Sequence, residues 1–483
     1  MLLRHAGRLR IEPGYRIGWE PGRAVGVETD VLVVNANSNQ GRPFGTGPLF
    51  SSESLLMSAN FMRILSGISP LVAVLLCFSS AVIAQQQNER SLDEIKTEAI
   101  RRAENGMYPL IGLDPADVRE AFAAIHTKDK DEWAAAFMSV ADRYMNEAKS
   151  VEKTDPTKAN ADYIRAWRLY SFGRWPIPAS PGKQRSYEKA IEAFLAHARF
   201  WDPPLEVVHI PFEGKEIIGY LRLPNNTKGP VPLVIAVNGL DSRKEDLAES
   251  FSAVLPYGIG YLAVDGPGTG QAPIKASETA DRMLSRVIDY AVTRPEVDKT
   301  RLVMHGVSWG AYWATKMAIV EHARLRGASA QSPPVDAFFQ KDFLMHSLLG
   351  NREYLFDQVP ALMSILEGAH SLDDMAEILP KMSLVKQGLL GKPMAPMLVI
   401  AGVLDTQVPI SDIYLLLSKG DVPKDAWINP QGGHLGRQVK VWPDPVIFKQ
   451  VIIPWLLRTF NIQCGAVLPK DPSLPVHNPE CGG

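Results

Sequence analysis

Three side chains, in the order Ser308, Asp405 and His434, have the types and settings that acyl-transfer chemistry requires. A serine hydroxyl is a poor nucleophile until a base takes its proton, and the base needs an acid to fix its tautomer. Ser308 sits in Gly306-Val307-Ser308-Trp309-Gly310, after the apolar run Leu302–Val307 and before a helix-like stretch. Taken alone, that pattern arises by chance in long chains and reads equally well as a small-residue turn. Asp405 follows the apolar run Met397–Ala401, where an orienting carboxylate belongs. Its bland reading is a turn-forming or helix-capping aspartate, a role that Asp412 suits better. His434 stands in Asn429-Pro430-Gln431-Gly432-Gly433-His434-Leu435-Gly436, and the flanking glycines let a loop imidazole reach inward. Among ten histidines, His305 reads as packed on its strand, His197 and His322 fall in helical patterns, and His477 lies in a Pro-rich tail. Only His434 follows Asp405 on a loop.

Ser, Asp, His is the chain order of nucleophile-elbow enzymes with the α/β-hydrolase fold. A tetrahedral intermediate also needs donors for its oxyanion. The backbone N–H of Trp309, next after the nucleophile, is one candidate. The loop Asn238-Gly239-Leu240-Asp241-Ser242 supplies the other, with Leu240 the first choice and Gly239 the second. Asp265-Gly266-Pro267-Gly268-Thr269-Gly270 lacks the spacing of a dinucleotide fingerprint and the Lys-Ser/Thr of a phosphate loop, so it reads as a strand-end turn bordering the site. No metal-ligand spacing is present, and neither a metal nor a cofactor is expected.

The elements that must position these residues follow from hydropathy period. Residues 91–202 read as helices, opened by the capping box Ser91-Leu92-Asp93-Glu94 and, further on, by Asp114-Pro115. Trp133, Trp167 and Trp201 recur at the 34-residue period of tetratricopeptide repeats, but Asp202-Pro203-Pro204 stops the last helix and the intervening pattern does not recur. From Leu205 the period changes. A hairpin around Glu213-Gly214-Lys215 precedes strands at Leu233–Val237, Gly260–Val264, Leu302–Val307, Met397–Ala401 and Ala426–Ile428, with helices between them. Short continuous apolar strands separated by helices predict an α/β fold: a mostly parallel sheet covered on both faces. A helical, Met- and Leu-rich insertion at 333–392 is long for a loop and is expected to lie over a site.

At 483 residues, with Lys+Arg 51 against Asp+Glu 53, the chain has a net charge of −2 and no basic stripe, which argues against nucleic acid as a partner. Met62-Arg63, the apolar stretch Ile64–Phe78 and the small-residue end Ala81-Val82-Ile83-Ala84 form the three parts of a secretory signal over 62–84. The expected mature chain starts at Gln85, with 1–61 upstream sequence from a mis-assigned start. It is secreted or periplasmic, with no stable membrane insertion after cleavage. Cys464 and Cys481, in a tail over 464–483, are candidates for a disulfide in an oxidising compartment. The expected domains are a helical segment over 85–202 and a catalytic domain over 203–463 that contains the insertion.

A helical N-terminal segment, Val237-Asn238-Gly239-Leu240-Asp241-Ser242-Arg243-Lys244-Glu245, the Asp265–Gly270 turn, the Ser308 pentapeptide and Gly402-Val403-Leu404-Asp405-Thr406-Gln407-Val408-Pro409 together resemble the fermentation-respiration-switch-type esterases. Dihydroxypseudooxynicotine hydrolase and the yellowish-green heptaketide hydrolases share that layout. The resemblance spans about Ala99 to Phe460. It implies an α/β-hydrolase whose N-terminal helices contribute to a lid, with Ser308, Asp405 and His434 in catalysis. Relatives divide between ester hydrolysis and cleavage of a carbon–carbon bond beside a ketone. The expected function is therefore serine hydrolysis of a carboxylic ester through an acyl-enzyme, the alternative being hydrolysis of a β-diketone or polyketide-like substrate. A non-catalytic binding protein on the same fold is the reading from another class. The expected partner is a small-molecule ester or ketone, and a homodimer is allowed.

Overall fold

The computed structural model of the chain describes residues 90–462, apart from positions 226, 350 and 357. The expected leader, the upstream segment and the tail with its two cysteines lie outside the described residues.

Five helices come first: α1 (Leu92–Glu104), α2 (Pro115–Ala123), α3 (Lys130–Val151), α4 (Pro156–Arg174) and α5 (Pro181–Ala198). Their starts are chemically specified. Ser91 and Glu94 form the reciprocal capping box, and Asp114 caps α2 ahead of Pro115. The three spaced tryptophans do different jobs. Trp133 packs edge-on against Phe122 and Phe172, Trp167 meets Phe194, and Trp201 lies under the Arg222 guanidinium.

The eight strands are β1 (Glu206–Phe212), β2 (Lys215–Arg222), β3 (Val231–Val237), β4 (Gly260–Val264), β5 (Val297–Val307), β6 (Gly327–Gln331), β7 (Met397–Gly402) and β8 (Lys424–Asn429). They form one sheet in the order β1-β2-β4-β3-β5-β6-β7-β8. The first two pairings, β1 with β2 and β2 with β4, are antiparallel, and the rest are parallel. The β1–β2 hairpin turns on Glu213 and Gly214, both at positive φ, as a two-residue turn matched to strand twist requires.

Alternation along the central strands divides the core. Leu233, Ile235 and Val237 of β3 join α7 (Asp281–Thr293) and α8 (Trp309–Val320) on one face. Val234 and Ala236 point to the other, where α6 (Lys244–Phe251), the C-terminal helix (Ile453–Thr459) and the N-terminal helices pack. Burial on both faces explains why these strands are continuously apolar.

β6 was not expected. Its sequence, Gly-Ala-Ser-Ala-Gln, carries none of the large β-branched residues that mark strands. Yet it is fully buried between β5 and β7, and a Cβ at Gly327 would come 3.0 Å from the Trp455 ring. Small residues are what that space admits. Asp412 also departs from expectation. It lies in the first turn of the helix Ile410–Leu417, but its carboxylate reaches across to the start of the insertion. There it accepts the N–H groups of Val335 (2.8 Å), Asp336 (3.2 Å), Ala337 (2.7 Å) and Phe338 (3.2 Å).

Asp412→Ala removes the acceptor from four buried or half-buried amides. Unfolding free energy should fall by about 3 kcal/mol, measured by denaturant titration, and an unchanged midpoint would show that the four bonds contribute nothing net.

Candidate active site

Ser308 links the end of β5 to the start of α8, with φ 51 and ψ −115. A residue other than glycine is strained there, and the neighbours make the strain obligatory. A Cβ on Gly306 would fall 2.0 Å from the Gly310 carbonyl oxygen, and one on Gly310 would fall 2.3 Å from that of Val237. Both glycines of the pentapeptide are therefore demanded by backbone packed on backbone. The Ser308 N–H donates to Gln331 O at the end of β6 (2.8 Å).

The sheet brings the three expected side chains together. The Ser308 hydroxyl donates to His434 Nε2 (2.9 Å), and His434 Nδ1–H donates to Asp405 Oδ2 (2.9 Å). The other oxygen of Asp405 accepts from the N–H groups of Gln407 (2.8 Å) and Val408 (2.9 Å), which fixes the carboxylate in its own loop. Burial works against a charged imidazole at His434. The bonded Asp405 and the negative charge of Glu353 act in the opposite direction, and the net effect raises its pKa above the ordinary value. His305 is buried and paired with Ser329 Oγ (2.6 Å), and burial depresses its pKa to about 3. It is a core histidine.

The histidine loop is held on several sides. Gln331 Nε2 donates to Leu435 O (2.8 Å), and the Leu435 N–H donates to Ser332 Oγ (2.9 Å). Leu435 and Ser332 both sit at positive φ. A Cβ at Gly402 would come 2.2 Å from the carbonyl oxygens of both Gly432 and Gly433, so the acid and histidine loops touch backbone to backbone.

Glu353, in the insertion, joins those two loops and was not foreseen. One of its oxygens accepts the His434 N–H (2.7 Å). The other accepts the Thr406 hydroxyl (2.6 Å) and N–H (3.1 Å), one residue past Asp405. Its segment is gripped from the N-terminal helices. Arg90 donates to the Tyr354 carbonyl (2.6 Å), Arg102 to that of Glu353 (2.9 Å), and Arg352 pairs with Glu94 (2.9 Å).

The donor loop after β3 is equally tied. Asn238 Nδ2 donates to the carbonyls of Gly239 (2.8 Å) and Ser242 (2.6 Å), and its oxygen accepts the Gly266 N–H (2.7 Å). The Asp265–Gly270 turn thus braces this loop. Fully buried Lys244 adds bonds to Asp265 (2.9 Å), Glu245 (2.9 Å) and Gln271 (2.6 Å). Burial opposes its charge, but the two carboxylates hold it protonated. Gly239 spends its N–H on Ser242 Oγ (2.9 Å). The N–H groups of Leu240 and Trp309 have no hydrogen-bond partner among the described residues, and both residues line a recess with Ser308.

Ser308 and His434 open into a cavity of about 900 Å³ beneath the N-terminal helices, with Tyr108, Trp175, Tyr354 and Gln358 in its walls. The Oε1 of Gln358 is buried there with no partner among the described residues.

An eight-stranded, mostly parallel sheet with a serine at this turn, a histidine beside it and a strand-end carboxylate behind defines an α/β-hydrolase. The chain belongs to the Esterase FrsA-like family, whose profile matches residues 84–426, and it is an esterase of that class. The matched span holds Ser308 and Asp405 and ends before His434. Esterase FrsA of Serratia proteamaculans (strain 568) is 26% identical over 313 residues, covering 58% of this chain and 71% of the relative. Its counterpart in Yersinia pestis (strain Pestoides F) is 24% identical over 309 residues, covering 59% and 72%. Among solved structures, 2,6-dihydroxy-pseudo-oxynicotine hydrolase superposes with a TM-score of 0.61 at 20% identity, covering 74% of this chain and 95% of that one. Wild-type AbyA5 gives 0.59 at 17%, covering 77% and 96%. At these identities the two structures speak for the fold alone.

A base must be neutral to accept a proton, so kcat/KM should rise with pH through an acid limb lying above 6.5, the ordinary histidine value. Glu353→Gln keeps an acceptor but removes a charge that raises the His434 pKa. The limb should move to lower pH, and the plateau should fall roughly 10- to 100-fold as the loops loosen. A limb that stays in place would deny Glu353 any electrostatic role.

Proposed function

We propose that the chain hydrolyses a carboxylic ester through an acyl-enzyme on Ser308. His434 takes the Ser308 proton as Oγ attacks the carbonyl carbon, and Asp405 stabilises the imidazolium that forms. The backbone N–H groups of Trp309 and Leu240 bind the oxyanion. His434 then protonates the departing alkoxide. In the second half, water takes the alcohol's place and gives its proton to His434, which passes it to Ser308 Oγ as the acyl–Oγ bond breaks and the carboxylic acid leaves.

The observation that carries this reading is the unbroken chain of bonds from Ser308 Oγ through His434 to Asp405, each 2.9 Å long. Free donors at Leu240 and Trp309 support it, since a retired site would have no need to keep backbone amides unpaired beside a strained serine. No feature of the site favours carbon–carbon cleavage over ester hydrolysis. We also infer export. The support is the signal-like pattern at 62–84, and the family match begins at residue 84, where that pattern ends.

Purified protein should turn over nitrophenyl esters and be labelled by a fluorophosphonate. Ser308→Ala should abolish labelling and lower kcat by about four orders of magnitude or more; a variant as active as the parent would sink the proposal. Intact mass of the exported protein should begin at Gln85.

A further inference from the structure

Among the described residues, Ser308, Leu240 and Gln358 wall both the cavity of about 900 Å³ and the narrow recess beside the nucleophile. The first two are the nucleophile and an oxyanion donor. Gln358 therefore borders the place where the ester must lie, yet neither the triad nor the oxyanion amides make use of it.

Gln358 is 5% exposed. Its Oε1 is buried without a partner, and its Nε2 makes no hydrogen bond to any described residue. Asn238, Gln331 and Asn429, which brace the surrounding loops, all donate to backbone carbonyls. The unbonded amide is nonetheless fixed in position. It begins the helix Gln358–Ile365, whose Val359, Leu362 and Ile365 are buried. Just ahead of it Arg90 donates to the carbonyls of Tyr354 (2.6 Å) and Leu355 (3.1 Å). At the far end Ile365 O accepts the Ala276 N–H (2.8 Å). A buried amide that is fixed and unbonded lowers stability, so its presence beside a nucleophile points to a ligand.

The group being cleaved cannot be that partner. An ester offers only oxygen lone pairs, and the oxyanion that forms from it is met by Trp309 and Leu240. Gln358 Oε1 is an acceptor, so its donor must come from elsewhere on the substrate. A hydroxyl suits either end of the carboxamide, since it can donate to Oε1 or accept from Nε2.

We propose that the substrate is an ester carrying a hydroxyl close to the bond that is cleaved, and that Gln358 recognises that hydroxyl. This rests on the ester-hydrolase reading above and deepens it. Gln358 holds the hydroxyl without exchanging its proton, and the bonds made and broken remain those of acyl transfer to Ser308 and then to water. An ester lacking the hydroxyl leaves the amide buried and unbonded, which is how a site of this kind discriminates.

The test compares three esters of similar size on the full chain: ethyl butyrate, ethyl 3-hydroxybutyrate and 2-hydroxyethyl butyrate. The first has no hydroxyl, the second has one on the acyl half, and the third has one on the alcohol half. At least one hydroxy ester should exceed ethyl butyrate in kcat/KM by about 10-fold or more, and which one does so tells the half that Gln358 meets. Gln358→Met and Gln358→Leu should each lower that ratio by about 10-fold, with fluorophosphonate labelling of Ser308 reporting that the variants are folded. A parent indifferent to both hydroxyls, with Ser308 labelled, overturns this inference alone and needs no variant to do so. So does a ratio that survives in a labelled variant, including one that slows all three esters alike. Absence of both labelling and turnover in the parent would remove the hydrolase reading as well.

Discussion

The closest constraint in the molecule is the meeting of three backbones at the nucleophile: the end of β5, the start of α8 and the end of β3. The carbonyl oxygens of Gly310 and Val237 stand where side chains at positions 306 and 310 would have to go. That leaves Ser308 one conformation, at a cost of about 1–3 kcal/mol. Everything else in the site is set against this fixed point. β6 binds the Ser308 amide and, through Gln331 and Ser332, the backbone beyond His434. The spacing between nucleophile and base is therefore a property of adjacent strands rather than of two mobile loops.

How much of this the sequence discloses depends on whether a requirement is local. The elbow is legible because close backbone approach forces glycine at two fixed offsets. The acid and the histidine are legible because strand ends are marked by the apolar runs before them. β6 is hidden: a strand squeezed between α8 and the C-terminal helix must be built from small residues, which erases the pattern by which strands are recognised. Glu353 is hidden for a different reason. Nothing within its own segment distinguishes it from a surface glutamate, and its role exists only once the insertion lies across the loops of Asp405 and His434. Asp412 misleads in the same way, since its position at a helix start is local while its four bonds are not.

The N-terminal helices are more than a roof. The last turn of α4 delivers Arg174 and Trp175 to Asp241 in the donor loop, the Trp175 indole at 3.0 Å. Arg90, just ahead of α1, and Arg102 within it hold the backbone carbonyls of Arg352, Glu353 and Tyr354. One side of the site, the oxyanion loop, and the other, the base and its acid, are thus both braced from the same segment. Buried Lys244 adds a charged tie beneath. Such pairs are poor sources of stability but demanding in geometry, which suits a loop whose amides must be held in place.

That arrangement bears on how the chain acquires its structure. Arg90 and Arg102 find their carbonyl partners 251 to 265 positions later. Trp133 and Trp175 complete their aromatic packing only against Phe356 and Tyr354. Contacts of such high sequence separation are slow to form, because a long loop must close before any of them contributes. During synthesis the helices emerge first and wait, with an unpaired aromatic face, until the insertion has been made. The bracing that stiffens the finished site is therefore also a period of exposure for the unfinished one.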